Sequence, residues 1–144
     1  ISSNSDNSLE TFMYYFLASE FRDEPRVRFQ IAVGDMLYAE IFPGYVARLI
    51  HGDQISYQGG VGGITIPIRK RLAGWDKAQK AQLTAMGHFH QVLDGGDFLV
   101  NGSLIGYNAY AQRWGFSPEP PAQQFALIHA KRGKSIVAPI WVTE

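Results

Sequence analysis

The chain contains no cysteine. Disulfide scaffolds and thiolate zinc sites are thereby excluded, and any bound metal must be held by nitrogen and oxygen ligands. An excess of charge of one sign is also missing: 13 Lys and Arg face 13 Asp and Glu, for a net charge of zero. That removes the basic footprint of a general nucleic-acid binder and leaves only a local patch open. No hydrophobic run is long or apolar enough to span a membrane. The N-terminus, Ile1-Ser2-Ser3-Asn4, has neither a signal-peptide pattern nor an initiator methionine, so the chain is expected to start partway through a longer protein. The lack of cysteine is compatible with a cytoplasmic setting, which is the expected one. What is present is 144 residues, 46% of them apolar. That is enough for one domain with a real core and too apolar for a disordered chain. There is no internal repeat, low-complexity tract or second-domain linker.

The four histidines are unevenly placed. His51 is followed by Gly52-Asp53, and two more stand in Gly87-His88-Phe89-His90. Two histidines one residue apart can both meet metal if the backbone bends between them. The alternative is a pair of ordinary strand histidines. His129 lies among Leu127, Ile128 and Ala130 and reads as a structural strand residue. Asp53 is read as a solvated carboxylate or a hydrogen-bond partner of His51 before it is read as a ligand, and Asn101 as a turn residue.

Periodicity supplies the frame. Asn7 or Ser8 can cap a helix carrying Leu9, Phe12, Met13, Phe16 and Leu17 on one apolar stripe, expected to pack in the core and to end before Pro25. Val27, Phe29 and Ile31 alternate with polar neighbours as a half-buried strand, and Met36 to Phe42 and Tyr45 to Ile50 are two more, joined at Pro43-Gly44. The third ends at His51, which faces a loop. The segment Ser56 to Gly63 is glycine-rich and lacks the lysine of a phosphate loop. Ile64 to Lys80 reads as a helix with Pro67 near its start and Arg69, Lys70, Arg71 and Lys77 exposed. Leu83 to Met86 is a buried strand, Asp94 to Asp97 a turn, and Phe98 to Val100 a returning strand. Tyr107 to Trp114 is a short helix, and Gln124 to Ala130 with Ser135 to Val142 form a final hairpin. Tyr107, Tyr110, Trp114 and Phe116 serve as core or, less often, as a base-stacking platform.

The histidine after a strand and the glycine-histidine-x-histidine run, His51 and Gly87-His88-Phe89-His90, resemble the fourth and fifth motifs of the calcineurin-like metallophosphoesterases. Asn101-Gly102-Ser103-Leu104 resembles the turn that follows them, and the stretch as a whole looks most like the phage-encoded branch. The resemblance implies an α/β fold, the C-terminal half of a two-sheet αββα sandwich, with residues 1–144 a single partial domain. It implies that His51 and His88 ligate one divalent ion and His90 another, manganese first, with iron, zinc or nickel as alternatives. Ser3-Asn4-Ser5-Asp6 lies where the third motif belongs; Asn4 then becomes a ligand and Asp6 its support. Ser5 stands where the family has a histidine that assists the leaving group, and serine is a poor proton donor at neutral pH. The first two motifs, with the bridging aspartate, would precede Ile1.

The implied function is phosphomonoester or phosphodiester hydrolysis by a metal-activated water, incomplete or inactive in the isolated chain. The substrate is a phosphate ester, with nucleic acid or a nucleotide among the candidates and no membrane involved. Half a sandwich leaves an apolar face bare, so homo-oligomerisation or association with the missing N-terminal half is expected. Two other readings stand beside this one. A cupin-like barrel would hold a single metal on the His88-x-His90 pair, although Asp94 stands where that motif has glutamate. A non-catalytic module would keep the fold without the chemistry.

Overall fold

A computed structural model describes residues 9–32, 34–57 and 62–142. Asn4, Ser5 and Asp6, the expected caps Asn7 and Ser8, and Gln58 to Val61 of the glycine-rich loop lie outside the described residues. The fold is mixed α/β. Among the described residues, three helices and seven strands follow one another as α1 (Leu9–Glu20), β1 (Met36–Phe42), β2 (Tyr45–Ile50), α2 (Thr65–Trp75), β3 (Leu83–Met86), β4 (Leu93–Asp94), β5 (Phe98–Val100), α3 (Ala109–Trp114), β6 (Ala122–His129) and β7 (Gly133–Trp141).

The central sheet is mixed, in the order β1-β2-β3-β5-β4. Strands β2, β3 and β5 run parallel, with Ala47 beside Leu83 and Thr84 beside Phe98. The edge strands β1 and β4 are antiparallel to their neighbours. Parallel strands need a crossover, and α2 supplies it between β2 and β3. Ile68 and Leu72, one turn apart on α2, pack on Ile50, Met86, Phe98 and Val100 of the sheet, with Ile55 and Ile64 completing the core. The second sheet is the β6–β7 hairpin. It is tied to the C-terminal end of β5: Asn101 Nδ2 donates to Gln123 Oε1, and Gln124 N donates to Asn101 Oδ1, both at 2.7 Å. This open sheet with parallel pairs is not a closed barrel, so the cupin-like reading has no support among the described residues.

Arg48 organises the underside of the sheet and was not singled out from the sequence. It is fully buried in β2. Its Nη2 donates to Asp76 Oδ1 at 2.5 Å and to the Gln79 carbonyl at 2.7 Å, Nη1 to Thr84 Oγ1 at 3.2 Å, and Nε to the Tyr38 hydroxyl at 3.1 Å. Tyr38 and Trp75 lie 5.2 and 5.6 Å from its guanidinium carbon. A buried cation persists only when its donors are matched in this way. The same demand explains why α2 stops at Trp75 rather than near Lys80: Asp76 and the Gln79 carbonyl must turn back to meet the guanidinium.

Two other expectations are corrected. Val27 to Ile31 forms no strand, and Val27 and Phe29 are exposed. Gln30 Nε2 donates to the Tyr38 carbonyl at 2.9 Å and Phe29 packs against Phe21 with ring centroids 6.3 Å apart, but no described strand pairs with the segment, so alternation without a pairing edge did not produce a ladder. Helix α1 forms where expected, yet none of its residues is buried. Leu9 and Phe12 are 82% and 70% exposed, because no described element covers the stripe. A helix of 12 residues whose apolar stripe no described element covers is marginal in water.

Candidate metal centre

In an open α/β sheet, the crevice at the carboxyl ends of the parallel strands is where ligands bind. Three such ends converge here. His51 follows β2, Gly87-His88 follows β3 and Asn101 follows β5. The ladder continues one step past the strands: Gly87 N donates to the His51 carbonyl at 2.9 Å, and Asn101 N donates to the Met86 carbonyl at 2.7 Å. His51 and His88 are thus held side by side by backbone bonds before their side chains interact.

The side chains then meet. His88 Nδ1 faces His51 Nε2 at 3.2 Å, with ring centroids 5.1 Å apart and planes at 66°. If one of the facing nitrogens carries a proton and the other does not, this contact is a hydrogen bond. Gly52 allows the approach. Its φ is +121°, and a Cβ there would stand 2.9 Å from His88 Cβ and 3.1 Å from the Gly87 carbonyl oxygen. His88 and His90 both adopt left-handed backbone, with φ of 66° and 55°. Non-glycine residues in that region carry strain of the kind that gathers at functional sites. The bend between the two histidines is therefore present, and it separates their rings. His90 lies against Tyr110 and Phe116, with centroids at 5.7 and 5.8 Å.

The electrostatics favour a neutral donor. Burial pushes the pKa of His88 down; the neighbouring His51 and, more weakly, His90 push the same way, and Asp53 opposes them. His88 thus keeps a lone pair available at neutral pH, as a metal ligand must. Two buried atoms nearby have no hydrogen-bond partner among the described residues: Asp53 Oδ1 and His90 Nδ1. Such orphans are uncommon and call for a reason.

The residues fit a divalent ion as two of its ligands. Metal–nitrogen bonds of about 2.0–2.1 Å, at angles between a right angle and the tetrahedral value, place two ligand nitrogens about 2.8–3.4 Å apart. The observed 3.2 Å lies inside that interval. Among the described residues, however, no group of three or more His, Asp or Glu side chains is gathered for a metal. The structure brings His51 and His88 together, leaves His90 on the aromatic side, and does not describe Asn4. Asn101 is engaged by Gln123 and Gln124 as a structural clamp. His129 Nδ1 accepts from the amides of Lys131 and Arg132 and so closes the β6–β7 turn.

No family model matches the chain. No curated protein matches it either. Two solved structures of Vps29 from Entamoeba histolytica are similar to it. One, of a single mutant, is 18% identical with a TM-score of 0.49, over 81% of this chain and 67% of that one. The other, of the wild type complexed with Zn2+, is 15% identical with a TM-score of 0.49, over 98% and 93%.

The aromatic wall beside the histidines was only partly legible. Phe116 appeared in the sequence as one of an aromatic group, and Phe89 as the residue between two histidines. That both border one cavity beside His88 follows from the left-handed turn at His88, for which histidine's enrichment in such backbone is only a weak local signal.

Proposed function

We propose that the chain is a metal-dependent phosphoesterase unit of the calcineurin-like type, a partial domain over residues 1–144. The observation that carries this reading is the facing pair of imidazole nitrogens, 3.2 Å apart at the carboxyl ends of two parallel strands. In this reading His51 and His88 hold a divalent ion, with Asp53 and His90 beside them and Asn4 as a further ligand. Manganese is the first choice of ion, with iron, zinc and nickel as alternatives, and a phage-type branch and a cytoplasmic setting belong to the same proposal. A bound ion of this kind lowers the pKa of its water and neutralises charge on phosphoryl oxygens. The chain's own part is to orient the two rings through the Gly87–His51 bond and to keep His88 unprotonated. No helix among the described residues is long and apolar enough to cross a membrane.

The test is hydrolysis of bis-p-nitrophenyl phosphate with manganese. Turnover abolished by His88→Ala in a folded protein supports the proposal. A second reading, a metal-binding module without catalysis, is favoured by the lack of a third gathered ligand among the described residues. Metal binding with no turnover in a folded protein would establish that reading instead.

A further inference from the structure

A cavity of about 360 Å³ opens directly beside His88. Its wall includes Tyr57, Phe89 and Phe116 as rings, and Asp53, Ser56 and Gln91 as polar groups, with Ile55 and Ile64 at the base. The volume lies within the roughly 300–1,000 Å³ of small-molecule sites, and an apolar pocket with a few convergent polar groups is their usual character. The rings are not simply core. Tyr57 is 40% exposed, and Phe89 and Phe116 are half-buried. The wall is also braced: Phe89 meets His88 edge-on at 5.2 Å, and Phe116 packs edge-on against His90 at 5.8 Å. Asp53 brings to this wall a carboxylate oxygen that is buried and has no hydrogen-bond partner.

Resting on the phosphoesterase reading, we infer that this cavity binds the base of a nucleotide, with the scissile phosphate at His51 and His88. Aromatic rings stack on the faces of a heterocycle, and the sequence-tolerant energy of that stacking is substantial. The polar groups decide between a base and a plain aryl group. Asp53 Oδ1 accepts from an exocyclic amine or ring N–H, and the Gln91 amide both donates and accepts. A phenyl ring would leave these groups unmatched and desolvated, which is costly. The same pocket explains why the chain needs no overall positive charge: one phosphate and one base are recognised locally rather than a long backbone.

The test uses the whole metal-free chain and the nucleosides adenosine and cytidine, which carry no phosphate. Saturation-transfer NMR and calorimetry should show at least one of them binding, with transfer strongest to base protons, and phenol binding at least about tenfold more weakly. Tyr57→Ala and Phe116→Leu should each weaken nucleoside binding by about fivefold or more, as loss of one stacking partner does, with the circular dichroism spectrum unchanged. Tyr57 is exposed enough that its variant should fold. Failure of both nucleosides to bind at millimolar concentration overturns the inference. So does phenol binding as tightly, or unaltered binding in both variants. None of these readouts needs metal or turnover, so loss of the phosphoesterase reading would be seen separately, as absent hydrolysis of bis-p-nitrophenyl phosphate.

Discussion

Replacing Gly52 with alanine should damage both stability and the histidine pair. The added methyl group would stand 2.9 Å from His88 Cβ and 3.1 Å from the Gly87 carbonyl oxygen. Neither is the loose end of a flexible side chain, so relief requires the end of β3 to move away from the end of β2. An L-residue held at φ +121° costs about 1–3 kcal/mol in backbone strain. Overpacking adds about 1–3 kcal/mol. The sum, about 2–6 kcal/mol, is a large part of the roughly 5–15 kcal/mol available to a domain. The displacement also lengthens the 2.9 Å Gly87–His51 backbone bond and parts the two imidazoles. Urea denaturation, with zinc titration of the folded variant, measures both effects. Gly34→Ala is the control, since a Cβ there meets nothing within 4 Å, and it should change stability by less than about 0.5 kcal/mol. A Gly52→Ala protein as stable as that control, with unchanged zinc affinity, would refute the close-approach argument.

Arg48→Met should destabilise by about 3–5 kcal/mol, because it leaves the groups matched to a buried cation without their donor. Asp76, whose side chain is 35% exposed, can rehydrate, which places the loss toward the lower end; a loss under about 1 kcal/mol by denaturant melt would contradict it. His88 is held below the ordinary histidine pKa, chiefly by burial. The unfolded chain therefore takes up a proton near pH 6.5 that the folded chain resists. Stability should be full above that pH and fall as the pH drops through the folded-state value. NMR titration should give His88 a midpoint below that of a free histidine, and His88→Gln should flatten the acid limb of the stability curve; an unchanged limb contradicts the assignment. Finally, the bare α1 stripe and the exposed Phe125, Leu127, Ile136 and Ile140 on one face of the hairpin exceed what a soluble monomer normally shows. Sedimentation at low micromolar concentration should give a mass above the 16.1 kDa of one chain, and a clean monomer would count against association.

Local pattern made much of the fold legible. Strands β1, β2, β3 and β5 and the β6–β7 hairpin stand close to where alternation, apolar runs and turn residues put them. Asn108 caps α3 by accepting from Ala111 N, inside the segment read as a short helix. What was not legible depends on long-range partners. Among the described residues, Val27 to Ile31 alternates as a strand does but meets no edge, and α1 carries a stripe that no described element buries. Arg48 interrupts an apolar strand, which is a visible signal, yet its partners Asp76, Gln79 and Thr84 lie 28 to 36 residues away. At the candidate site, the pairing of His51 with His88 was expected from the motifs. Histidine is among the non-glycine residues enriched in left-handed backbone, but that weak signal at His88 and His90 does not say that the turns send His90 toward Tyr110 and Phe116 or open a cavity beside His88.

The most direct measurement is calorimetric titration of the chain with manganese and with zinc, repeated on His51→Ala and His88→Ala. One site per chain is expected, lost in both variants while the fold is kept. Binding of equal strength in either variant, or no binding by the parent protein, would contradict a metal centre built on these two imidazoles.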